Sequence, residues 1–255
     1  MSTDPRDLFS LTDKVIVVTG GSRGLGKEMA FAFAQCGADV VIASRKVDNC
    51  VAVADDITRT TGRRALPIGC HVGDWGQIDA MVERVYAEFG RIDVLVNNAG
   101  MSPLYPNLHE HGEALYDKVF DVNLKGPFRL MATVGHRMAE GDGGSIINVS
   151  SIASVRPTPN VIPYSAAKAG LNAMTIGFSK AFGPKVRVNC IMAGPFLTDI
   201  AEAWDIEAVR NDMKKRYAMQ RPGNPDEVVG AALYFASDAS SWTTGAILPV
   251  DGGTP

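Results

Sequence analysis

The sequence KVIVVTGGSRGLG, residues 14–26, decides the fold. Its first half is an unbroken apolar run, which is typical of a strand buried on both faces of a sheet. Its second half is a T-G-x-x-x-G-x-G turn made by Thr19, Gly20, Gly24 and Gly26, and a helical pattern follows over 27–36. Glycines at such a turn let a diphosphate approach the backbone N–H groups at the positive end of a helix. The stretch therefore predicts a dinucleotide-binding strand–turn–helix unit.

Apolar strand patterns and helical patterns continue to alternate after this unit. The strand patterns are 39–45, 64–70, 92–100, 144–151, 185–191 and a last one ending at 250, and the helical patterns are 48–61, 74–89, 109–139 and one from 163. In the helix at 74–89, Asp74 and Gln77 are spaced as a capping box. The fold class predicted is α/β, with residues 1–255 forming a single doubly wound (Rossmann-type) domain. Its parallel sheet has about seven strands with helices on both faces.

Composition excludes several classes of protein. The chain has 255 residues, 46% of them apolar, and a formal net charge of −3, so neither a nucleic-acid partner nor a membrane partner is expected. The start of the chain lacks the pattern of a secretory signal. Its four separated cysteines are expected to be reduced thiols in a cytoplasmic protein. The histidines of the sequence His109-Glu110-His111 are too close together for a helical zinc site, so we expect no metal.

The end of the second strand indicates which dinucleotide is bound. An Asp or Glu at this place would bind a ribose 2′-hydroxyl and repel a phosphate. The chain instead has Ser44 and Arg45, with Arg23 in the glycine turn. A hydroxyl and two guanidinium groups suit a 2′-phosphate, so NADP(H) is the preferred cofactor and NAD(H) the alternative. Both arginines could also be ordinary solvated loop residues.

A rival interpretation comes from the same glycine turn. Gly20 to Gly24 also spells G-x-S-x-G, the nucleophile elbow of α/β-hydrolases, with Ser22 as the nucleophile. Such an elbow needs earlier strands to supply its oxyanion loop and a histidine after the last strands. Here the strand begins near residue 14, and the final histidine is His136. The hydrolase interpretation is therefore disfavoured.

A tyrosine and a lysine lie one helical turn apart in IPYSAAKAG, residues 162–170. Tyr164 begins an apolar stripe of the predicted helix, and Lys168 lies at the edge of that stripe instead of on a solvated face. A free tyrosine has a pKa of about 10, too high for acid–base work at neutral pH. A nearby ammonium group would lower this pKa. The pair therefore predicts an acid–base tyrosine, although a tyrosine merely packed against a lysine stem is the common alternative.

Together these motifs resemble the compact, single-domain branch of the short-chain dehydrogenase/reductase family, including its 3-oxoacyl-thioester reductases. The resemblance extends over residues 14–253 and includes TGGSRGLG, the sequence Asn97-Asn98-Ala99-Gly100, and Asn123. A serine, Ser151, also lies 13 residues before Tyr164, as in the family pattern. The order and spacing of these motifs are much more specific than any one of them.

The resemblance implies a reaction and a set of site residues. Tyr164 would give or take a proton at the substrate oxygen, and Ser151 would stabilise the charge on that oxygen. Lys168 would tune the tyrosine and hold the nicotinamide ribose, and Asn123 would keep an ordered water near Lys168. The implied cofactor-binding residues are Gly20, Ser22, Arg23, Gly24, Leu25, Gly26, Ser44, Arg45, His71, Val72, Asn97, Ala99, Gly100, Tyr164, Lys168, Gly194 and Thr198.

Three features depart from the family pattern. His71 stands where the family usually has an Asp that contacts adenine, so a cofactor contact there is in question. Ala193 replaces a proline in the segment beside the nicotinamide. The sequence AFGPKVRVN follows Lys168 closely, which predicts a short helix.

The substrate expected is a ketone or secondary alcohol with an apolar or acyl group, such as a 3-oxoacyl thioester. Residues 199–222 correspond to a lid over the substrate, with apolar residues that could line a cavity or form the core face of two short helices. On the Tyr164 helix, a second face of small residues predicts a homodimer or homotetramer: Ala166, Gly170, Ala173 and Gly177. The alternative function is a non-catalytic dinucleotide sensor on the same fold.

Overall fold

Seven parallel strands form one sheet in the computed structural model, which describes residue 4 and residues 7–105, 107–198 and 206–254. Their bounds are Val15–Thr19 (β1), Asp39–Ser44 (β2), Ala65–Gly69 (β3), Val94–Asn97 (β4), Gly144–Ser151 (β5), Val186–Ala193 (β6) and Ile247–Val250 (β7). The spatial order is β3-β2-β1-β4-β5-β6-β7. The order reverses between β1 and β4, and a crevice at such a reversal is where open α/β sheets bind ligands. The predicted doubly wound sheet is confirmed.

Helices cover both faces of this sheet. Their bounds are Gly24–Gln35 (α1), Val47–Thr61 (α2), Trp75–Phe89 (α3), Glu113–Phe120 (α4), Gly126–Glu140 (α5), Ile162–Phe182 (α6), Ile206–Arg216 (α7) and Val229–Ala236 (α8). Ile16 and Val18 of β1 pack with Phe33 of α1 and Phe235 of α8 in one hydrophobic cluster. The alternate residues of the strand point to the opposite face. There they belong to a second cluster, with residues of α3, α5 and α6.

Local structure departs from the sequence prediction at two helices. The region 109–139, expected to be one helical stretch, divides into α4 and α5 around a π-helical turn, Asp121–Lys125. Gly126 at the start of α5 lies so close to the Val72 carbonyl that a side chain would clash with it. The prediction that the helix after Lys168 is short was wrong, because α6 has 21 residues and continues to Phe182.

The capping box predicted for α3 is present in part. The Asp74 side chain accepts a hydrogen bond from the Gln77 backbone at 3.1 Å, as predicted. The Gln77 side chain does not return to the Asp74 backbone. It accepts from the backbone N–H of His71 at 2.9 Å instead, and so ties α3 to the loop that follows β3.

No described helix is long and apolar enough to cross a membrane. No cluster of His, Cys, Asp and Glu suited to a metal ion was found in the same part of the chain. All four cysteines are free thiols.

Candidate functional site

The glycine turn after β1 has the backbone geometry that a phosphate cradle needs. Gly20 has a φ of +65° and Gly24 a φ of +51°, values that favour glycine. A Cβ atom at Gly20 would lie 2.9 Å from the Cα of Ala99, so the turn also requires a close backbone approach. The side chain of the N-cap residue, Arg23, does not cap the first turn of α1. The first N–H groups of a helix have no partner within the helix and can bind an anion. These observations fit the diphosphate of a dinucleotide.

Asn98, which our set of site residues omits, fastens this turn to the end of β4. Its Nδ2 donates to the carbonyl oxygens of Thr19 at 3.0 Å and Gly20 at 3.2 Å. The hydroxyl of Thr19 accepts from the backbone N–H groups of Asn98 and Ala99 and donates to Val96 O. Because both loops are held by these bonds, the predicted contacts Ala99 and Gly100 lie beside the glycine turn.

Asn97, predicted to be a cofactor-binding residue, is the last residue of β4. Its side chain is buried in the sheet and donates to Asn148 Oδ1 at 2.9 Å. Asn148 in turn donates to Thr175 of α6 at 2.9 Å. The Asn97 side chain therefore joins β4, β5 and α6, and only its backbone remains for a cofactor contact.

Ser22 and Ser44 meet where the glycine turn lies beside the end of β2, and each is followed in the chain by an arginine, Arg23 and Arg45. The hydroxyl of Ser22 donates to that of Ser44 at 3.0 Å, which joins the glycine turn to the end of β2. The side chains of Arg23 and Arg45 are both exposed. Since Ser22 donates to a serine and not to a histidine, no base activates it as the nucleophile that the hydrolase interpretation requires.

His71 and Val72 follow the carboxyl end of β3, at the same edge of the parallel sheet as the glycine turn. Val72 is buried, and His71 is half-buried with its Nδ1 accepting from the backbone N–H of Gly73 at 3.1 Å. In the neutral ring the proton is therefore on Nε2. Where an Asp would present acceptor oxygens, His71 presents a donor.

Consecutive serines at the end of β5 point in opposite directions. The hydroxyl of Ser150 is buried and donates to Lys168 O at 3.2 Å, so Ser150 stabilises the packing of α6. Ser151 is half-buried, its hydroxyl accepts from the backbone N–H of Ala153 at 3.2 Å, and it lies close enough to Tyr164 to lower the pKa of the phenol. Strand alternation explains the difference and agrees with the choice of Ser151 from its spacing.

Tyr164 and Lys168 lie on the first two turns of α6, which begins at Ile162 and has Pro163 in its first turn. The Lys168 ammonium group is 5.8 Å from the centroid of the Tyr164 ring. It is buried and donates to Val149 O at 2.7 Å. The pair is therefore brought together as predicted, but the ammonium group bonds to the end of β5 and not to the phenol.

The pKa values of this pair are set mainly by burial. Burial raises the pKa of Tyr164, while the weaker effect of the Ser151 hydrogen bond lowers it. This direction is opposite to the lowering predicted from the sequence. Burial also lowers the pKa of Lys168 to about 8. An ammonium group with this pKa is largely protonated at neutral pH.

Asn123 lies in the π-helical turn next to Lys168. Its Nδ2 donates to Val119 O and Met101 O, both at 2.8 Å, and its Oδ1 accepts from Met101 N at 3.2 Å. A Cβ atom at Gly100 would lie 3.0 Å from Asn123 Oδ1 and 3.5 Å from Lys168 Nζ. Gly100 thus lets the loop after β4 pass closely between these two side chains. Single-turn π-helices of this kind are frequent at functional sites.

The remaining predicted contacts are on the loop after β6. A Cβ atom at Gly24 would lie 3.4 Å from Thr198 Cγ2, which places Thr198 against the glycine turn. Gly194 packs closely on the backbone of Asp251. Leu25 of the glycine turn packs against the first hydrophobic cluster.

The predicted lid is described only in part, because residues 199–205 lie outside the described residues. The helix α7 lies within it, and the buried side chain of Met213 favours a core-facing role over a cavity lining. The backbone N–H groups of Ala218 and Met219 donate to the carbonyls of Gly253 and Gly252, so the lid ends against the C-terminal residues.

Comparisons with known proteins agree with this geometry. Residues 20–255 match the family model described as "Enoyl-(Acyl carrier protein) reductase". A 3-oxoacyl-[acyl-carrier-protein] reductase of Chlamydia trachomatis is 38% identical over 248 residues, covering 95% of this chain and 98% of the relative.

Solved structures show the same likeness. A short-chain type dehydrogenase/reductase from Mycobacterium marinum has a TM-score of 0.89 and 32% identity, covering 96% of this chain and 97% of the other. A 3-oxoacyl (acyl-carrier-protein) reductase from Agrobacterium tumefaciens with NADP bound has a TM-score of 0.92 and 28% identity, with coverage of 99% and 98%. By its fold, its site and these relatives, the chain belongs to the short-chain dehydrogenase/reductase family, enzymes that act on CH–OH groups.

Proposed function

We propose that this protein interconverts a ketone and a secondary alcohol with NADP(H), and that Tyr164 is the acid–base residue. The observation that supports this most strongly is the arrangement at the start of α6. There a half-buried phenol lies beside Ser151, and the centroid of its ring is 5.8 Å from a buried ammonium group. Nicotinamide supplies or accepts the hydride when the dinucleotide is bound.

The chain's own residues handle the proton and the charge. In reduction, Tyr164 donates its phenolic proton to the substrate oxygen, and in oxidation it takes that proton back. Ser151 donates a hydrogen bond where negative charge develops on this oxygen. Lys168 contributes a fixed positive charge and binds the nicotinamide ribose. Asn123 holds the backbone of Met101 against the π-helical turn beside Lys168. We propose that it also binds an ordered water next to Lys168.

We assign the cofactor subsites from the same crevice. The glycine turn and the start of α1 bind the diphosphate. The 2′-phosphate is bound by Ser22, Ser44, Arg23 and Arg45. The adenine lies beside His71 and Val72. Two loops flank the nicotinamide: one carries Ala99 and Gly100, and the other carries Gly194 and Thr198. The buried thiols fit a reducing compartment such as the cytoplasm.

The preference for NADP(H) has a direct test at Arg45. Replacing it with Ala removes an exposed guanidinium group and should weaken NADPH binding about 10- to 100-fold, because a charge-assisted hydrogen bond contributes about 1.5–3 kcal/mol. NADH affinity should change little. Dissociation constants for both nucleotides can be measured by fluorescence titration, with Arg84→Ala, an exposed arginine of α3, as the control. Equal losses for the two nucleotides would place the 2′-phosphate elsewhere.

The substrate proposed carries an apolar or acyl group, with a 3-oxoacyl thioester as one candidate. Leu104 and Val155 expose large apolar side chains near the site, which supports an apolar entrance. Phe196, an apolar residue on the loop after β6, is buried in the first hydrophobic cluster and is not exposed at this entrance. The decisive experiment is a screen of ketones, 3-oxoacyl thioesters and alcohols with both nucleotides, followed by nicotinamide absorbance. Tight NADPH binding without turnover of any compound would favour the sensor function.

We also propose a homodimer or homotetramer that buries the outer face of α6. Ala166, Ala173 and Gly177 are exposed there, and Phe128 of α5 and Ile176 are exposed large apolar residues. Small side chains next to apolar ones allow another helix to approach closely. Gly170 is not part of this face, because a Cβ atom there would lie 2.9 Å from Leu124 Cδ1.

Replacing Ala173 with Arg should therefore dissociate the assembly. A long charged side chain would be forced into a contact that only small residues fit, so the molar mass measured by light scattering after gel filtration should fall toward that of one chain. Ala52→Arg on the exposed side of α2 is the matched control. An unchanged molar mass for Ala173→Arg would show that α6 is not at the interface.

A further inference from the structure

Asn172 is a buried polar residue of α6 that has no part in the proton transfer proposed above. It follows Lys168 by four residues, so it lies about one turn further along the helix. A polar side chain in such a place costs free energy unless its hydrogen bonds are made. The partners of Asn172 therefore indicate what this side chain does.

Both ends of the Asn172 amide are hydrogen-bonded. Its Nδ2 donates to the hydroxyl of Ser154 at 2.8 Å, and its Oδ1 accepts from the thiol of Cys190 on β6 at 3.6 Å. Burial raises the pKa of this thiol to about 11, so Cys190 keeps the proton that it donates. The hydroxyl of Ser154 donates in turn to Met192 Sδ, also on β6, at 3.5 Å. Ser154 is thus held between α6 and β6.

Ser154 is the last residue of a short 3-10 helix that begins next to Ser151. This helix is Ile152–Ser154, and Ser151 is its N-cap. The hydroxyl oxygen of Ser151 accepts from the backbone N–H of Ala153 at 3.2 Å. That bond uses a lone pair of the hydroxyl and leaves its proton for another acceptor. The direction in which Ser151 donates therefore depends on where this 3-10 helix is held.

We propose that Asn172 is a positioning residue for Ser151: by fixing Ser154, it holds the 3-10 helix that orients the Ser151 hydroxyl toward the reacting oxygen. This inference rests on the proposed function, in which Ser151 stabilises the charge that develops on that oxygen. Such a hydrogen bond is stronger in the transition state than in the bound ketone. Loss of Asn172 should therefore lower kcat and leave KM nearly unchanged.

Replacing Asn172 with Leu, which has a similar volume and no polar side-chain atom, should lower kcat about tenfold. The reaction followed is the reduction by NADPH of ethyl acetoacetate, or of the ketone reduced fastest in the screen described above. KM for the ketone and the NADPH dissociation constant should stay within about twofold of wild type.

Two further variants accompany this measurement. Ser154→Ala removes the same hydrogen bond from its other end and should cause the same loss of kcat, so it tests the proposal even where Asn172→Leu fails to fold. Ser179→Ala removes a buried hydroxyl near the end of α6 and is the matched control, which should keep the kcat of wild type.

A double-mutant cycle with Ser151→Ala distinguishes positioning from a general effect on packing. Ser151→Ala alone should lower kcat about 10²- to 10³-fold, the usual loss when an oxyanion donor is removed. Adding Asn172→Leu or Ser154→Ala should then cause no further loss, because the hydroxyl that they position is already absent. Equal losses in both backgrounds, or no loss in the wild-type background, would overturn this inference alone. An unchanged kcat in Ser151→Ala, or a wild-type protein that reduces no ketone, would contradict the proposed function and the inference with it.

Discussion

Replacing Tyr164 with Phe should lower kcat about 10²- to 10⁴-fold, the usual contribution of a positioned proton donor. The substitution removes one hydroxyl and keeps the ring, so α6 and its packing are retained. NADPH affinity should stay within a few fold, because the glycine turn and the 2′-phosphate subsite are untouched. The measurement is steady-state reduction of a ketone, with the NADPH dissociation constant determined in parallel.

The pH dependence separates an acid–base role from a structural one. Because burial raises the pKa of Tyr164, its phenol is protonated through neutral pH. Reduction needs the protonated form, so its rate should be level there and fall only at alkaline pH. Alcohol oxidation needs the deprotonated form and should rise over the same range. Tyr86→Phe, on α3, is the control and should keep both profiles. Substantial activity in Tyr164→Phe would refute the assignment.

The raised pKa of Tyr164 shows what sequence reasoning could not provide. The spacing of Tyr164 and Lys168 correctly predicted that the two side chains would be neighbours. The electrostatic effect depends on where the ammonium group points, and Val149 O receives its hydrogen bond. No pattern in the sequence specifies that a strand carbonyl competes with the phenol for this cation.

Local sequence patterns predicted the sheet and much of the site because each pattern depends only on residues that are close together in the chain. Apolar runs and glycine turns specify strands and the crevice, and alternation along β5 separates Ser150 from Ser151. Asn97 and Asn98 show the limit of this reasoning. Both follow from one motif, but Asn98 binds the glycine turn while Asn97 points into the sheet toward Asn148. Which of two adjacent amides faces the crevice is decided by strand register, which is a tertiary property.

Lys168 connects function with stability. Its pKa is lowered to about 8 by burial, whereas a lysine in the unfolded chain has an ordinary pKa of 10.5. Between these pH values the unfolded state binds more protons than the folded state, so the free energy of unfolding should rise as pH increases. The gain is about 3.5 kcal/mol, at about 1.4 kcal/mol per pH unit of difference in pKa. Below pH 8 both states are protonated, and the full cost of the buried charge is present.

Replacing Lys168 with Met should remove this pH dependence together with the activity. A methionine has no charge to bury. The rise in the free energy of unfolding that Lys168 causes between pH 8 and 10.5 in the wild-type protein should therefore be absent. Other groups titrate in this range in both proteins and cancel in the comparison. Turnover should fall by at least as much as in Tyr164→Phe, because the fixed charge and the proposed ribose contact are lost together.

Urea unfolding at several pH values, compared between wild type and Lys168→Met, measures this difference directly. Lys180→Met, an exposed lysine of the same helix, is the matched control and should follow wild type in both activity and pH dependence. Parallel curves for wild type and Lys168→Met would mean that the ammonium group is not held at a lowered pKa. The buried cation is retained at a cost to the fold, which is expected of a charge with the role in the reaction that we propose for Lys168.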